Sequence, residues 1–161
     1  MKKIGLINEF NFTKEQINKL PIHKKVRGLI FKNKNTLICV EETSHNIKNL
    51  LGLPGGTVEN MESNIRAFKR EVLEETGYEV KDIKPIGIIE VIRKTYISHT
   101  ICYIAKTKGR KQKIKLTKDE IEVNTKPIEI NLKEAINRIK KEYNKSPNDN
   151  SLRSLMILNV I

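Results

Sequence analysis

Three glutamates that stand close together are the residues of this 161-residue chain best suited to chemistry. Glu71, Glu74 and Glu75 are spaced i, i+3 and i+4, so on a helix their carboxylates fall within one arc of roughly 100°. Like charges at these spacings destabilise an isolated helix by roughly 0.2–0.5 kcal/mol per pair. Mg²⁺ would reverse that repulsion, because it binds carboxylate oxygens and keeps water and substrate phosphate as its other ligands. The cluster therefore predicts half of a metal site.

The flanking residues predict the helix that would carry these carboxylates. Ser63 is a favourable N-cap residue, and Gly77 is typical of the position just beyond the last helical turn. Ile65, Phe68 and Val72 recur at intervals of three and four residues, which places an apolar stripe beside the carboxylates. One side of this helix is expected to pack on a core while the other faces a cleft.

A glycine turn precedes the helix. Pro54-Gly55-Gly56 permits a tight turn and a close approach of the backbone to a ligand. Within the helix, Arg70 stands four residues before Glu74, where it can pair with that carboxylate and orient it. Turn, arginine and carboxylates together indicate a site rather than a merely solvated helix face.

The spacing of these residues resembles the Nudix box over residues 56–78. Gly56 is followed after five residues by Glu62, and after seven more by Arg70-Glu71-Val72. After one further residue come Glu74-Glu75, and after one more come Gly77 and a bulky residue. Tyr78 stands where an aliphatic residue is usual, a departure that concerns packing rather than metal chemistry. The resemblance implies an α/β fold, an α/β/α sandwich with a mixed sheet. It also implies hydrolysis of a nucleoside diphosphate linked to another moiety, by attack of water at phosphorus.

The resemblance further implies Mg²⁺ as the cofactor, with Mn²⁺ able to substitute. The implied metal ligands are the side chains of Glu71, Glu74 and Glu75 and the carbonyl oxygen of Gly55. Arg70 is expected to fix a carboxylate, and Glu62 to orient residues of the box.

The general base is open between two places. In some members of the family a box glutamate has this role, which here would be Glu71 or Glu74. In others it is a glutamate on a loop after the later strands, where Glu120 and Glu122 are the candidates and Glu120 is preferred. The expected catalytic residues are therefore Glu71, Glu74 and Glu120, supported by Arg70.

The net charge of +12 leaves alternatives open for the substrate. A basic run at residues 106–118 could attract a polyphosphate or the backbone of RNA, although such runs are more often solvated surface. His23, Lys25 and Arg27 could contact a base or a phosphate. The leading hypothesis is hydrolysis of a nucleotide-type small molecule, and the alternative is an RNA 5′-end pyrophosphohydrolase. A non-enzymatic ligand sensor of the same fold ranks low, because the box glutamates are all kept.

Length and composition bound the rest. The size predicts a single domain over residues 1–161. No apolar run approaches the roughly 20 residues of a membrane span, so no membrane partner is expected. Cys39 and Cys102 lie in apolar segments and are expected to be buried free thiols, which favours a reducing, cytoplasmic setting. Dimers are frequent among relatives, so a homodimer is compatible with the resemblance.

Hydrophobic periodicity and turn residues predict the remaining elements. Strands are expected at 4–7, 26–31, 36–40, 84–91, 96–105 and 127–130, and helices at 13–20, 132–143 and 151–160. A loop is expected at 42–48, and it leads through residues 50–53 to the glycine turn.

Overall fold

The computed structural model describes residues 1–8, 10–43 and 49–161, which form seven strands and five helices. The strands are β1 (Lys3–Asn8), β2 (Ile22–Asn33), β3 (Thr36–Glu42), β4 (Leu50–Gly52), β5 (Glu79–Ile92), β6 (Ile97–Lys108) and β7 (Lys126–Asn131). The helices are α1 (Lys14–Asn18), α2 (Asn64–Thr76), α3 (Lys118–Glu122), α4 (Leu132–Lys145) and α5 (Asp149–Leu158).

The strands form one mixed sheet in the order β1-β5-β6-β2-β3-β4, with β7 paired to β3. The pairs β1/β5 and β2/β6 are parallel. The pairs β2/β3, β3/β4, β3/β7 and β5/β6 are antiparallel. The central strand β2 therefore has β6 along one edge, while β3 covers its other edge only near the hairpin.

Side chains alternate along each strand, so residues of one strand reach both faces of the sheet. Helices cover both faces. On β2, Val26 and Ile30 belong to the core beneath α2, which also contains Phe68 of that helix. Leu29 belongs to the opposite core, beneath α4 and α5. The α/β/α sandwich implied by the resemblance is thus confirmed.

Gly28 of β2 shows how tightly α2 lies on the sheet. A Cβ atom at Gly28 would come within 2.7 Å of the Phe68 ring and of the Tyr103 carbonyl oxygen. Such a distance is too short for real carbon contacts, so the helix can approach this closely only because the side chain is missing.

Most predicted elements are present, and polar side chains cap their helices. Thr13 and Gln16 form a capping box at α1, while Ser63 caps α2 and Asn131 caps α4. The terminal helix α5 begins at Asp149, two residues before the predicted start, because Asn148 caps it through the Ser151 N–H.

Two segments differ from the predictions. The three-residue strand β4 lies just before the glycine turn, where no element was predicted, and it pairs with β3. The segment that holds Glu120 is the five-residue helix α3, which Thr117 caps, rather than a loop. Residues 44–48 of the loop predicted at 42–48 lie outside the described residues, and Glu42 ends β3.

A buried carboxylate joins α4 to the sheet. Glu41 of β3 is 9% exposed, and its oxygens lie 2.6 Å from Arg138 Nη2 and 3.0 Å from Lys126 Nζ. Burial by itself would raise the pKa of Glu41, but the hydrogen bonds from Arg138 and Lys126 outweigh that effect and hold the pKa below its usual value. The ionised carboxylate is therefore the form that the fold stabilises.

The cysteines and the helices agree with the compositional predictions. Cys39 and Cys102 are fully buried free thiols, and burial raises the pKa of each to about 12. Among the helices of the described ranges, none combines the length and the apolar character that a membrane crossing requires.

Candidate active site

The glycine turn is held against the free edge of β2. Gly55 has a φ of 144°, and a Cβ atom there would lie 2.1 Å from the Val26 carbonyl oxygen, so the backbone requires glycine. Three backbone hydrogen bonds fix the turn: Gly28 N to Pro54 O (3.0 Å), Val26 N to Gly56 O (2.9 Å) and Val58 N to Lys24 O (3.0 Å). The turn thus continues the sheet where β3 no longer pairs with β2.

Helix α2 follows the turn and carries two of the predicted ligands back towards it. Glu75 Oε2 accepts a hydrogen bond of 2.8 Å from the Gly55 N–H. The Glu71 carboxylate lies against Gly56, where a Cβ atom would be 2.4 Å from the carboxyl carbon. Gly56 is therefore the residue that leaves room for Glu71.

A third carboxylate completes the group. Glu71, Glu75 and Glu120 each offer an oxygen, and these oxygens lie within 4.8 Å of one another. We refer to the three residues as the acidic triad. Glu120 reaches it from α3, where its carboxylate also accepts a 2.6 Å hydrogen bond from the Thr117 N–H. Three carboxylate oxygens at this separation are the donor set that Mg²⁺ prefers, so the residues present fit a divalent ion.

The electrostatics of the triad favour a cation. Burial raises the pKa of Glu71, although the Arg70 charge opposes the shift. Burial also raises the pKa of Glu75, to about 8, and the hydrogen bond from Gly55 only partly offsets this. Neighbouring carboxylates add to both shifts. The chain alone thus stabilises the ionised carboxylates incompletely, and a divalent cation would stabilise them.

Arg70 holds the surrounding carboxylates in place, as the sequence predicts. Its guanidinium binds both oxygens of Glu62, at 3.1 and 3.0 Å, and its Nη2 donates to the Thr57 carbonyl oxygen at 2.9 Å. Its Nη1 lies 3.0 Å from Glu71 Oε1 and 3.1 Å from Glu74 Oε2. Arg70 therefore positions carboxylates, and Glu62 orients Arg70.

The remaining predicted site residues lie near the triad without belonging to it. Glu74 points to Arg70, and its side chain is 33% exposed. Glu122 of α3 is exposed and lies outside the triad. Gly55 contacts the triad through its N–H, and the roles of its carbonyl oxygen and of Glu74 as metal ligands stay predictions.

A group of positive side chains lies on the other face of β2. We call it the cationic cluster: Lys25 and Arg27 of β2, Arg93 just after β5, and Arg153 of α5. Arg27 Nη1 donates to Asn150 Oδ1 at 2.6 Å, and Arg93 forms an ion pair with Asp149. The sequence indicated Lys25 and Arg27, whereas Arg93 and Arg153 join them only through the packing of α5 and gave no local signal.

His23, the third residue named with Lys25 and Arg27, has a different contact. Its ring stacks on Tyr96, with 4.4 Å between the ring centroids and an interplanar angle of 15°. The charge of Tyr96 acts on Arg153, which indicates that this stack lies next to the cationic cluster.

A family model described as the NUDIX domain matches residues 21–147. The chain belongs to the Nudix family. The predicted family is confirmed, and the match includes the glycine turn, the box helix and Glu120. The fold is also similar to that of a NUDIX hydrolase from Nitrosomonas europaea, with a TM-score of 0.65 and 20% identity. The similarity covers 86% of this chain and 88% of that one.

One curated relative matches part of this Nudix chain. The 8-oxo-dGDP phosphatase of Danio rerio is 32% identical over 87 residues, or 52% of this chain. The match spans 26% of that relative's length, about a quarter.

Proposed function

We propose that this Nudix protein is a Mg²⁺-dependent pyrophosphohydrolase that cleaves a pyrophosphate bond in a nucleotide or nucleoside diphosphate derivative. The observation that carries the proposal is the convergence of the acidic triad beside the glycine turn. Bound Mg²⁺ would neutralise charge on the phosphate oxygens and lower the pKa of the attacking water. Mn²⁺ has the same preference for oxygen ligands and is expected to substitute.

Contacts within the chain position the carboxylates of the site. Glu71 and Glu75 would hold the ion from the last turns of α2, and Arg70 keeps the carboxylate of Glu71 from turning away. Gly56 leaves the space that this carboxylate occupies. Each of these contacts exists before substrate arrives, so little reorganisation is needed during the reaction.

Glu120 is the general base in this proposal. Glu71 and Glu75 would bind the ion in this proposal, and Glu120, which offers an oxygen within 4.8 Å of theirs, would take the proton of the attacking water rather than bind the ion. Glu120→Gln should lower kcat by orders of magnitude, while the apparent Mg²⁺ constant stays within about twofold of the wild-type value. A loss of Mg²⁺ affinity would instead make Glu120 a ligand and return the base to Glu71 or Glu74.

The function is tested by a hydrolysis screen with Mg²⁺, with Mn²⁺ and with EDTA. Substrates should include nucleoside di- and triphosphates, ADP-ribose, dinucleoside polyphosphates, nucleotide sugars and 5′-triphosphorylated RNA. An oxidised guanine deoxynucleoside diphosphate should be one of them, because the Danio rerio relative is an 8-oxo-dGDP phosphatase. Glu75→Gln should abolish turnover, whereas Glu134→Gln, an exposed glutamate of α4, should not change it. Turnover that survives chelation or Glu75→Gln would refute the proposal, and preference for RNA would favour the alternative substrate.

We also propose a cytoplasmic location and a single domain over residues 1–161. Both cysteines are buried free thiols, which suits a reducing compartment. Cell fractionation tests the location. Light scattering of the purified protein would decide whether it forms the homodimer that is common among relatives.

A further inference from the structure

The cationic cluster collects four positive charges that the metal chemistry does not use. Lys25, Arg27, Arg93 and Arg153 are all partly buried, between the sheet and the start of α5. Among the described residues, the ion pairs of this cluster include one acid, Asp149, which pairs with Arg93. Like charges are rarely brought together in partly buried positions without a partner of opposite charge.

Burial and mutual repulsion can be seen in the pKa values of the cluster. Burial lowers the pKa of Arg153 to about 10, and the charges of Arg27 and Arg93 lower it further. Burial and the charges of Arg153, Arg27 and Arg93 likewise lower the pKa of Lys25. An anion bound at the cationic cluster would stabilise the charged forms of Arg153 and Lys25 and so oppose the lowering of both pKa values.

Two buried hydroxyl groups lie under the cluster. Ser98 and Thr100 of β6 are 2% and 1% exposed, and in the parallel register they stand opposite His23 and Lys25. Paired residues on neighbouring strands present their side chains to the same face of the sheet, which here is the face of Lys25 and Arg27. Neither hydroxyl has a hydrogen-bond partner among the described residues. Buried hydroxyls normally have one, so this face has donors left for a ligand.

The cluster lies on the same stretch of β2 as the glycine turn. Lys25 forms a bridge with Thr57, and Arg27 lies between Val26 and Gly28, which both bond to the turn. The backbones are in direct contact, since a Cβ atom at Gly55 would lie 2.6 Å from Arg27 Cα. A phosphate chain that passes the turn can therefore reach both charged groups.

We propose that the cationic cluster binds the terminal phosphate of the substrate, so that this site takes nucleoside di- or triphosphates in preference to nucleotides that end in a neutral sugar. The inference rests on the proposed function and deepens it. The guanidinium fork of Arg153 pairs with two phosphate oxygens, a geometry that lysine reproduces only in charge. A neutral sugar in the same place would leave the positive charges uncompensated and is disfavoured for that reason.

Binding of inorganic pyrophosphate in EDTA tests the cluster without metal and without turnover. Isothermal titration calorimetry should detect binding to the wild-type protein. Arg153→Gln should weaken it by about ten- to hundredfold, on the order of a charged hydrogen bond. Lys140→Gln removes an exposed positive charge from α4 and should stay within about twofold of wild type. Unchanged binding in Arg153→Gln would overturn the inference even if the protein hydrolyses nucleotides. Loss of hydrolysis with binding intact would instead refute only the proposed function.

Kinetics with Mg²⁺ distinguish a substrate subsite from a separate anion site. Arg153→Gln should raise KM for a nucleoside diphosphate about tenfold, leave kcat within about twofold and leave KM for a nucleotide sugar unchanged. Arg153→Lys should recover part of the loss. Pyrophosphate should compete with substrate in the wild-type enzyme, and non-competitive inhibition would overturn the assignment. Arg153→Gln relieves charge repulsion but loses the 3.1 Å hydrogen bond from Arg153 Nε to the Asp149 carbonyl oxygen, so its melting temperature should change by no more than about 4 °C. A larger fall with equal damage to both substrates would mean a structural role and would also overturn the inference.

Discussion

Replacing Gly56 by alanine should separate catalysis from folding. The new Cβ atom would lie 2.4 Å from the carboxyl carbon of Glu71, and ordinary contact begins at 3.4 Å. The carboxylate must therefore retreat by about 1 Å, a displacement that can cost roughly 100-fold in rate when it moves a catalytic group. The atoms that move are the free end of a side chain, and Gly56 has no left-handed φ, so the backbone can keep its course.

The assay measures kcat/KM, the apparent Mg²⁺ constant and the melting temperature of Gly56→Ala. We expect kcat/KM to fall about 100-fold and Mg²⁺ binding to weaken, because Glu71 leaves the triad. The melting temperature should fall by no more than about 4 °C, the shift for about 1 kcal/mol in a domain of this size. Gly55→Ala is the contrasting variant: its Cβ would meet the Val26 carbonyl oxygen at 2.1 Å, so it should destabilise the fold itself.

A double mutant tests the reason for the effect. In Gly56→Ala/Glu71→Asp the shorter side chain withdraws the carboxylate from the added methyl group. The loss of activity in the double mutant should therefore be smaller than the sum of the two single losses, when each is expressed as a free energy. Wild-type kcat/KM and Mg²⁺ affinity in Gly56→Ala, or strict additivity in the double mutant, would refute the steric argument.

Three further predictions concern stability and positioning. Glu41→Gln should cost about 2 kcal/mol near neutral pH, because the neutral amide loses the charged interactions with Arg138 and Lys126. Because the folded-state pKa of Glu41 is lowered, the wild type has this stability above the unfolded pKa and loses it as pH falls through the folded one. Urea unfolding from pH 7 to pH 3 should therefore show the two proteins converging. Gly28→Ala should cost about 1–3 kcal/mol through overpacking against Phe68, and a wild-type melting temperature would contradict this. Arg70→Lys should lower kcat/KM about ten- to hundredfold, since lysine cannot reproduce the paired hydrogen bonds; activity within twofold of wild type would deny Arg70 its positioning role.

The sequence predicted those parts of the site whose residues lie close together in the chain. Ser63, Gly77 and the apolar stripe predicted α2, and the helix then fixed the relative positions of Glu71 and Glu75 without any tertiary information. The glycine turn was predictable for the same reason, since Gly55 has a φ that other residues rarely adopt. These parts depend on spacings of a few residues.

The parts that could not be predicted depend on distant contacts. Helix α3 is too short for periodicity to reveal it. Only the resemblance named Glu120, because that residue joins the triad where the chain returns to the box after β6. Arg153 stands 126 residues beyond Arg27 in the chain, and only the packing of α5 on the sheet places their charges together. Tyr78, unusual for its position in the box, is explained by burial in the core beneath α2 and by a 2.8 Å hydrogen bond to Glu129.

The bonds between the glycine turn and β2 also bear on how a ligand is received. Mobile loops around an active site must be immobilised when a ligand arrives, and the lost chain entropy weakens binding. Here the turn is already hydrogen-bonded as part of the sheet. Ligand affinity at this end of the site therefore does not have to offset the ordering of a loop, and selectivity is left to charge and shape.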